Sequence, residues 1–326
     1  MATTPSTKVL PSRLVPAPSR RDRLAGGLWG LLIGDALGVP YEFHAPSAIP
    51  PIDQIEFAPP PGFDRAHKRV PPGTYSDDGA QALCLVDSLL ARGTLDPEDL
   101  GRRLVNWYQD GYLAVDGNVF DCGVQTAAAL RALLGGGSAV QAGPSLESAN
   151  GNGSLMRMLP LALWHRGPDA ELVAFAHTQS RITHGHVRSQ ACCALYCLWA
   201  RRILDGHAEP WIDAVTTLRQ LYAGEPHHLP ELEFHIRPDE PPEGQGSGYV
   251  VDCLRSARWA VERGPYEVAV KAAIALGRDT DTTACVAGGI AGLRDGVGAI
   301  PVRWRDALGG QDLFLPLLDR LLAHAA

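Results

Sequence analysis

Apolar residues recur at helical spacing along most of the chain. In residues 78–92, DGAQALCLVDSLLAR, the apolar side chains of Ala82, Leu85, Val86, Leu89 and Leu90 fall on one face of a helix. Similar patterns predict helices at about 21–37, 97–110, 123–134, 155–165, 169–180, 187–204, 211–222, 249–263, 266–276, 282–294 and 312–325. The two-residue alternation and hairpin turns typical of strands are hard to find. The sequence therefore predicts an all-α fold.

Two long segments interrupt this helical pattern. Residues 44–76 contain PP at 50–51, PPP at 59–61 and PP at 71–72, and residues 223–248 are rich in proline, glycine and charge. Loops of this length in a compact domain are usually functional or disordered. Because the motifs described below lie on both sides of each segment, we predict one compact, orthogonal helical domain over residues 21–326. The preceding residues 1–20 contain four prolines and no acid, which indicates a disordered tail.

The overall charge limits the partners of the protein. Its 326 residues include 45% hydrophobic and 20% charged residues, which is ordinary for a globular chain. A net charge of -7 argues against general binding to nucleic acids or to anionic membranes, because both require a basic surface. No apolar run approaches ~18 residues, so we expect no transmembrane helix.

The seven cysteines are odd in number, form no CxxC pair and lie mostly in apolar stretches. This pattern favours reduced, buried thiols and a cytoplasmic location over a disulfide framework. The group Cys192, Cys193 and Cys197 could imitate a metal site, but its apolar surroundings favour a helix core.

Two acidic clusters stand where helices should begin. Ser76, Asp77 and Asp78 precede one apolar run, and capping of the helix would explain them if they stood alone. In the second cluster, Asp279 and Asp281 are followed by Thr282. Capping explains one of those two aspartates, but only the first turn of a helix has unpaired donors.

Taken together, the two clusters form an oxygen-rich set of hard ligands, which suits Mg²⁺ or Mn²⁺ better than Zn²⁺. Without a cation, the mutual repulsion of four aspartates would be costly. Two cations ~3.5–4 Å apart would turn the arrangement into a two-metal hydrolytic site.

Three other segments are weaker signals. Glu42 follows Pro40 on a predicted loop, where a glutamate is usually a solvated surface charge. Residues 150–154, NGNGS, precede an apolar helix and could offer backbone N–H groups to phosphate, although they match neither GxGxxG nor a P-loop. His184, in RITHGH, could simply satisfy a backbone group.

In this order, the segments resemble the ADP-ribosylglycohydrolase family. The matching segments are GDALGVPYEF (34–43), GTYSDDG (73–79), FDCG (120–123), NGNGSLMRMLPLAL (150–163), RITHGH (181–186), GSGYVVDCLRSARWA (246–260), GRDTDTTACVAGGIAGLRDG (277–296) and IPVRW (300–304). The resemblance extends from about residue 21 to the C-terminus, and its motifs are specific as a set.

The resemblance implies an all-α domain with a binuclear Mg²⁺ or Mn²⁺ centre at the base of an ADP-ribose cleft. It implies metal binding by both acidic clusters and a catalytic role for Asp121 and Glu42. The residues it implies in substrate binding are Gly151, Asn152, Gly153, Ser154, His184, Gly248 and Tyr249.

Three positions depart from the family pattern. The family usually has threonine at the positions of Ser76 and Gly79, and its DxGN motif becomes DCGV here, ending in Val124. The last departure bears on substrate choice more than on metal binding.

The function expected from this resemblance is hydrolysis of the glycosidic bond between ADP-ribose and a protein side chain, arginine or serine. One alternative is a family member that binds ADP-ribose with weak or no catalysis. Another is a two-metal hydrolase of a different ADP-ribose conjugate.

Overall fold

The computed structural model describes residues 17–324, and these residues form α-helices without any β-strand. Residues 1–16, most of the predicted tail, lie outside the described part. The helices are α1 (Arg20–Gly38), α2 (Asp77–Arg92), α3 (Pro97–Asp110), α4 (Val124–Leu134), α5 (Ala139–Ala142), α6 (Leu159–Trp164), α7 (Asp169–Arg181), α8 (Val187–Leu204), α9 (Pro210–Tyr222), α10 (His228–Pro230), α11 (Val250–Val261), α12 (Tyr266–Ala275), α13 (Thr280–Asp295), α14 (Val302–Ala307) and α15 (Gln311–His324). The all-α prediction is confirmed.

Shorter turns of helix connect these elements. Single 3₁₀ turns lie at Val39–Tyr41, Pro46–Ala48, Ile52–Gln54, Val115–Gly117 and Val297–Ala299, and a π-helical turn lies at Glu231–Ile236. The predicted helix at 155–165 begins only at Leu159, because residues 153–157 form irregular turns, in which the N–H of Leu155 donates to the carbonyl of Asn152 and that of Met158 to the carbonyl of Leu155. Pro160, which lacks an N–H group, then fits the first turn of α6.

Helices α1 and α13 pack with their backbones in contact and form the centre of the fold. A Cβ atom added to Gly30 would lie 2.3 Å from the carbonyl oxygen of Gly288, and one added to Gly34 would lie 2.1 Å from that of Ala284. At the end of this contact, Thr280 Oγ1 donates a 2.8 Å hydrogen bond to the carbonyl of Gly38. The glycines therefore bring the end of α1 against the start of α13.

By length and composition, residues Arg20–Tyr41 would be sufficient to cross a membrane. The most apolar window of this segment is 100% buried within the fold, as expected for a central core helix. Cysteines 192, 193 and 197 are likewise buried as free thiols on α8, which confirms their interpretation as helix core.

Candidate active site

The two acidic clusters meet at the starts of α2 and α13. Asp77 and Asp78 form the first turn of α2, while Asp281 and Thr282 lie in the first turn of α13. Thr282 Oγ1 lies 3.4 Å from Asp78 Oδ2, although 204 residues separate them in the sequence. Helix α1 links the two clusters, because it packs closely against α13 and its Asp35 accepts hydrogen bonds from the start of α2.

Capping accounts for part of this arrangement and fails for the rest. The Ser76 hydroxyl does cap α2, since it accepts a 3.3 Å hydrogen bond from the backbone N–H of Asp78. Asp279 occupies the N-cap position of α13 but makes no capping hydrogen bond there. Its Oδ2 instead accepts a 2.9 Å hydrogen bond from the Asn152 side-chain amide, which ties the second cluster to residues 150–154, the glycine-rich loop.

The carboxyl groups of both clusters are withdrawn from water. Burial raises the pKa of Asp77 well above its usual range, with the Asp78 carboxylate adding to the effect. Burial also raises the pKa of Asp78 and Asp281, and neighbouring carboxylates raise both further. The pKa of Asp279 is raised by burial and held down by its hydrogen bonds. Without compensating positive charge, part of this buried acid must stay protonated at neutral pH.

A further buried acid, Asp35, lies beneath the clusters. Its carboxylate accepts hydrogen bonds from the backbone N–H groups of Ser76 (2.9 Å) and Gly79 (2.7 Å) at the start of α2. Burial nevertheless raises the pKa of Asp35 to about 7. The sequence places Asp35 near a helix end but gives no sign that it organises the start of another helix.

The donor set fits a hard divalent cation. Asp78 Oδ1 and Asp281 Oδ2 are buried without any hydrogen-bond partner, which is rare for carboxylate oxygens in proteins. Carboxylate oxygens of Glu42, Asp279 and Asp281 all lie within 4.8 Å of one another. A bound Mg²⁺ or Mn²⁺ would satisfy the unpaired oxygens and offset the negative charge.

Glu42 is not a solvated surface charge, because only 2% of it is exposed. Burial raises its pKa well above the ordinary value, and the charges of Asp121 and Asp279 raise it further. The same causes, burial and Asp279, raise the pKa of Asp121 to about 7. The structure therefore brings both predicted catalytic carboxylates to the acidic clusters.

His67 links these two carboxylates and was not foreseen from the sequence. Its Nε2 lies 2.5 Å from Glu42 Oε2 and 3.9 Å from Asp121 Oδ1. It stands in the proline-rich segment 44–76, outside every recognisable motif.

A cleft of about 490 Å³ opens above the acidic clusters. Of the predicted substrate-binding residues, the cleft is lined by Gly151, Asn152, Gly153, His184 and Gly248. The glycine-rich loop is held to the segment before α11, since the N–H of Asn152 donates to the carbonyl of Gly248 at 3.0 Å. A Cβ on Gly153 would lie 2.9 Å from the His184 ring, so glycine keeps this wall open.

The structure does not bring Ser154 and Tyr249 to the cleft. Ser154 is fully buried and its hydroxyl lies 3.0 Å from Ser180 Oγ, in the core. Tyr249 pairs with Gly151 through an isolated antiparallel bridge, and its phenol accepts a hydrogen bond from Arg188 at 3.2 Å on another face.

His184 is almost fully buried, and its Nδ1 lies 2.9 Å from Thr183 Oγ1. Burial and the nearby Arg157 lower the pKa of His184 to about 3, so the ring is neutral near pH 7. Its hydrogen bond is to a side chain rather than to the backbone group that a purely structural histidine was expected to satisfy.

Arg157 connects the first acidic cluster to the cleft wall. This fully buried side chain donates to Gln81 Oε1 (3.0 Å), to the carbonyl of Gly153 (2.7 Å) and to Thr183 Oγ1 (2.6 Å). Gln81 in turn donates to Asp77 Oδ2 at 3.0 Å. The motif NGNGSLMRMLPLAL contains this arginine, but only the fold reveals its partners.

Backbone strain concentrates at the cleft. Seven of the described residues other than glycine have a positive φ angle, and four of them lie at or beside the cleft: Phe43, His67, Asp121 and Arg278, with φ angles of 65°, 47°, 58° and 63°. Such conformations are costly outside glycine and cluster at functional sites. The N–H of Phe43 donates to the carbonyl of Arg278 at 2.7 Å, so the Glu42 and Asp279 segments brace each other.

The structure shows the surroundings of Gly79 and Val124, two of the three positions that depart from the family pattern. A Cβ on Gly79 would lie 2.8 Å from the Leu32 side chain and 2.9 Å from Tyr75 Cβ, so a larger residue requires different packing here. Val124 is 78% exposed and lines the cleft, where it presents an apolar surface.

Comparison with known proteins agrees with this geometry. The sequence model described as ADP-ribosylglycohydrolase matches residues 16–326. The chain is 30% identical over 324 residues to the ADP-ribosylarginine hydrolase Tri1 of Serratia proteamaculans, covering 97% of this chain and 83% of the relative. It is 30% identical to the ADP-ribosyl-[dinitrogen reductase] glycohydrolase of Rhodospirillum rubrum, covering 89% and 92% of the two chains. A solved structure described as an ADP-ribosylglycohydrolase-related protein complex superposes with a TM-score of 0.74 at 32% identity, covering 94% of this chain and 99% of that one.

Proposed function

Because this chain belongs to the ADP-ribosylglycohydrolase family, we propose that it is a metal-dependent hydrolase that releases ADP-ribose from a modified protein side chain. The convergence of two distant acidic clusters, with buried carboxylate oxygens left unpaired, is the observation that carries this proposal. Arginine is the favoured acceptor, because two relatives at 30% and 32% identity are ADP-ribosylarginine hydrolases. A cytoplasmic location is part of the proposal, supported by the seven free cysteines.

The ligands proposed for two divalent cations are Ser76, Asp77, Asp78, Asp279, Asp281 and Thr282. Such cations would polarise ribose hydroxyls and lower the pKa of a bound water towards ~7. The chain contributes a rigid set of oxygens, in which Asp35 fixes the start of α2 and Asn152 orients Asp279.

Glu42 and Asp121 are the candidates for general base. A carboxylate accepts a proton from water most effectively when its pKa lies near the working pH, and burial moves both groups in that direction. Their negative charges would also stabilise the positive charge that develops on the ribose carbon as the glycosidic bond breaks.

The remaining cleft residues would bind the nucleotide sugar. The backbone of Gly151 and Gly153 lines the cleft, where N–H groups can hold pyrophosphate oxygens without a lysine. Because Asn152 is bonded to Asp279, ligand binding on this loop is mechanically linked to the metal ligands.

Parallel assays on arginine-linked and serine-linked ADP-ribosylated proteins, each with Mg²⁺, Mn²⁺ or EDTA, test this function. We expect metal-dependent release of free ADP-ribose together with unmodified acceptor. Release of AMP would instead indicate cleavage of the pyrophosphate, and micromolar binding without turnover would indicate a reader of ADP-ribose.

Asp279→Asn should abolish release, whereas Asp295→Asn, at the opposite end of α13, should leave it intact. Full activity of the Asp279 variant would contradict the assignment.

A further inference from the structure

We propose that His67 is a positioning residue that holds Glu42 in place above the acidic clusters and beside Asp121. This inference rests on the proposed function, and it gives a role to the proline-rich segment 44–76. Three observations support it: a short hydrogen bond, the packing of the imidazole ring and the anchoring of its loop.

The hydrogen bond joins two side chains that are largely shielded from water. His67 Nε2 and Glu42 Oε2 are 2.5 Å apart, and the exposed fractions of the two side chains are 15% and 3%. A donor is valuable at this place, because the carboxylates of Asp121 and Asp279 both repel the ionised Glu42. With its proton on Nε2, the imidazole would donate to Glu42 and oppose the repulsion that would drive Glu42 out of the site.

The ring also packs against both neighbouring segments. Its centroid lies 5.6 Å from that of Phe43, the residue after Glu42, and 5.1 Å from that of Phe120, the residue before Asp121. The positive φ angles of Phe43 and Asp121 persist only if surrounding contacts hold them. His67 supplies such a contact to both strained segments at once.

The backbone on each side of His67 is tied down. The N–H of Ala66 donates to the carbonyl of Pro40 at 3.0 Å, and the N–H of Val70 donates to the carbonyl of His67 at 2.8 Å. Pro71 and Pro72 follow immediately and restrict the loop further. The imidazole is thus presented from a fixed base rather than from a freely moving loop.

Kinetics of His67→Ala, His67→Gln and the adjacent Lys68→Ala test the proposal. We expect His67→Ala to lower kcat by roughly 10–100-fold with little change in KM, as for other residues that orient a reacting group. Gln offers an amide N–H at a similar position and should recover most of the loss. The Lys68 side chain is 70% exposed and pairs only with Asp64 within this loop, so its replacement should have no effect.

The Glu42→Ala background separates positioning from general loss of structure. If His67 acts through Glu42, then adding His67→Ala to Glu42→Ala should cost little further activity. Equal losses in both backgrounds, a Gln variant as impaired as the Ala variant, or an unchanged kcat for His67→Ala would each overturn the proposal.

A measurement on the resting protein distinguishes this proposal from the proposed function. In ¹⁵N-labelled protein, the His67 Nε2–H signal should be protected from solvent exchange, lost in Glu42→Ala and retained in Lys68→Ala. If the His67 Nε2–H signal exchanges freely with solvent and is unchanged in Glu42→Ala, the positioning role is refuted even if the enzyme is active. The protected signal in a protein that releases no ADP-ribose would refute only the function.

Discussion

Replacing Asp35 with asparagine should change how the stability of the metal-free protein depends on pH. Burial raises the pKa of Asp35 from 3.8 to about 7, even though the carboxylate accepts backbone hydrogen bonds from Ser76 and Gly79. A carboxyl group with a raised pKa in the folded state stabilises the fold fully only below its unfolded pKa. That contribution is lost as the pH rises through about 7. The wild type should therefore lose stability relative to Asp35→Asn over this window.

The size of the effect follows from the pKa shift. Between about pH 5.5 and pH 7, an unfolded Asp35 is ionised while the folded one keeps its proton. Each unit of pH in that range costs about 1.4 kcal/mol, giving a relative loss of about 2 kcal/mol for the wild type. In a chain of this size, that is about 3 °C in Tm.

Urea unfolding of both proteins in EDTA, at about pH 5.5 and pH 8, provides the measurement. Burial lowers the pKa of His177 and of His184 to about 3, so their contribution to stability changes with pH in the opposite sense. Both histidines are present in each protein, and their effects cancel in the difference. A difference in unfolding free energy that stays constant, or that moves in favour of the wild type at high pH, would refute the reasoning.

Three further predictions concern the metals, the helix contact and the buried arginine. Mn²⁺ at 100 times its Kd should raise the unfolding free energy by about 2.7 kcal/mol, and an unchanged Tm in calorimetry would contradict the metal site. Gly34→Ala places a Cβ 2.1 Å from the Ala284 carbonyl oxygen and should cost about 3 kcal/mol or more in urea unfolding. Gly298→Ala, with no atom within 4 Å, serves as its near-neutral control. Arg157→Met leaves Gln81 and other buried partners unpaired, so we expect the free energy of unfolding in urea to fall by about 3 kcal/mol. Arg157→Lys should recover part of this loss. Equal stability of the Met and Lys variants would contradict the prediction.

Periodicity alone predicted most helices to within one or two residues, because their apolar faces are local in sequence. The short helices α5, α10 and α14 were not predicted, and α6 starts four residues later than predicted, after the irregular turns of residues 153–157. The meeting of Asp78 with Thr282 was predicted from ligand chemistry rather than from any local pattern.

The missed residues share one property: their partners are distant in sequence. Asp35 bonds to a residue 41 positions away, Arg157 to one 76 positions away, and His67 to one 25 positions away. Each is an unremarkable polar residue until the fold supplies that partner. Ser154 shows the reverse, since it belongs to a loop that lines the cleft but points its own hydroxyl into the core.

The contact of α1 with α13 also sets the order of events during synthesis. The hydrogen bond from Thr280 to Gly38 spans 242 residues, so α1 leaves the ribosome long before its partner exists. At ordinary elongation rates, the glycine-containing face of α1 remains unpacked for roughly 12–50 s, during which chaperones and other nascent chains can contact it. A polypeptide released before residue 279 lacks both the partner of α1 and half of the proposed metal ligands, so we expect premature termination to yield no partly active fragment.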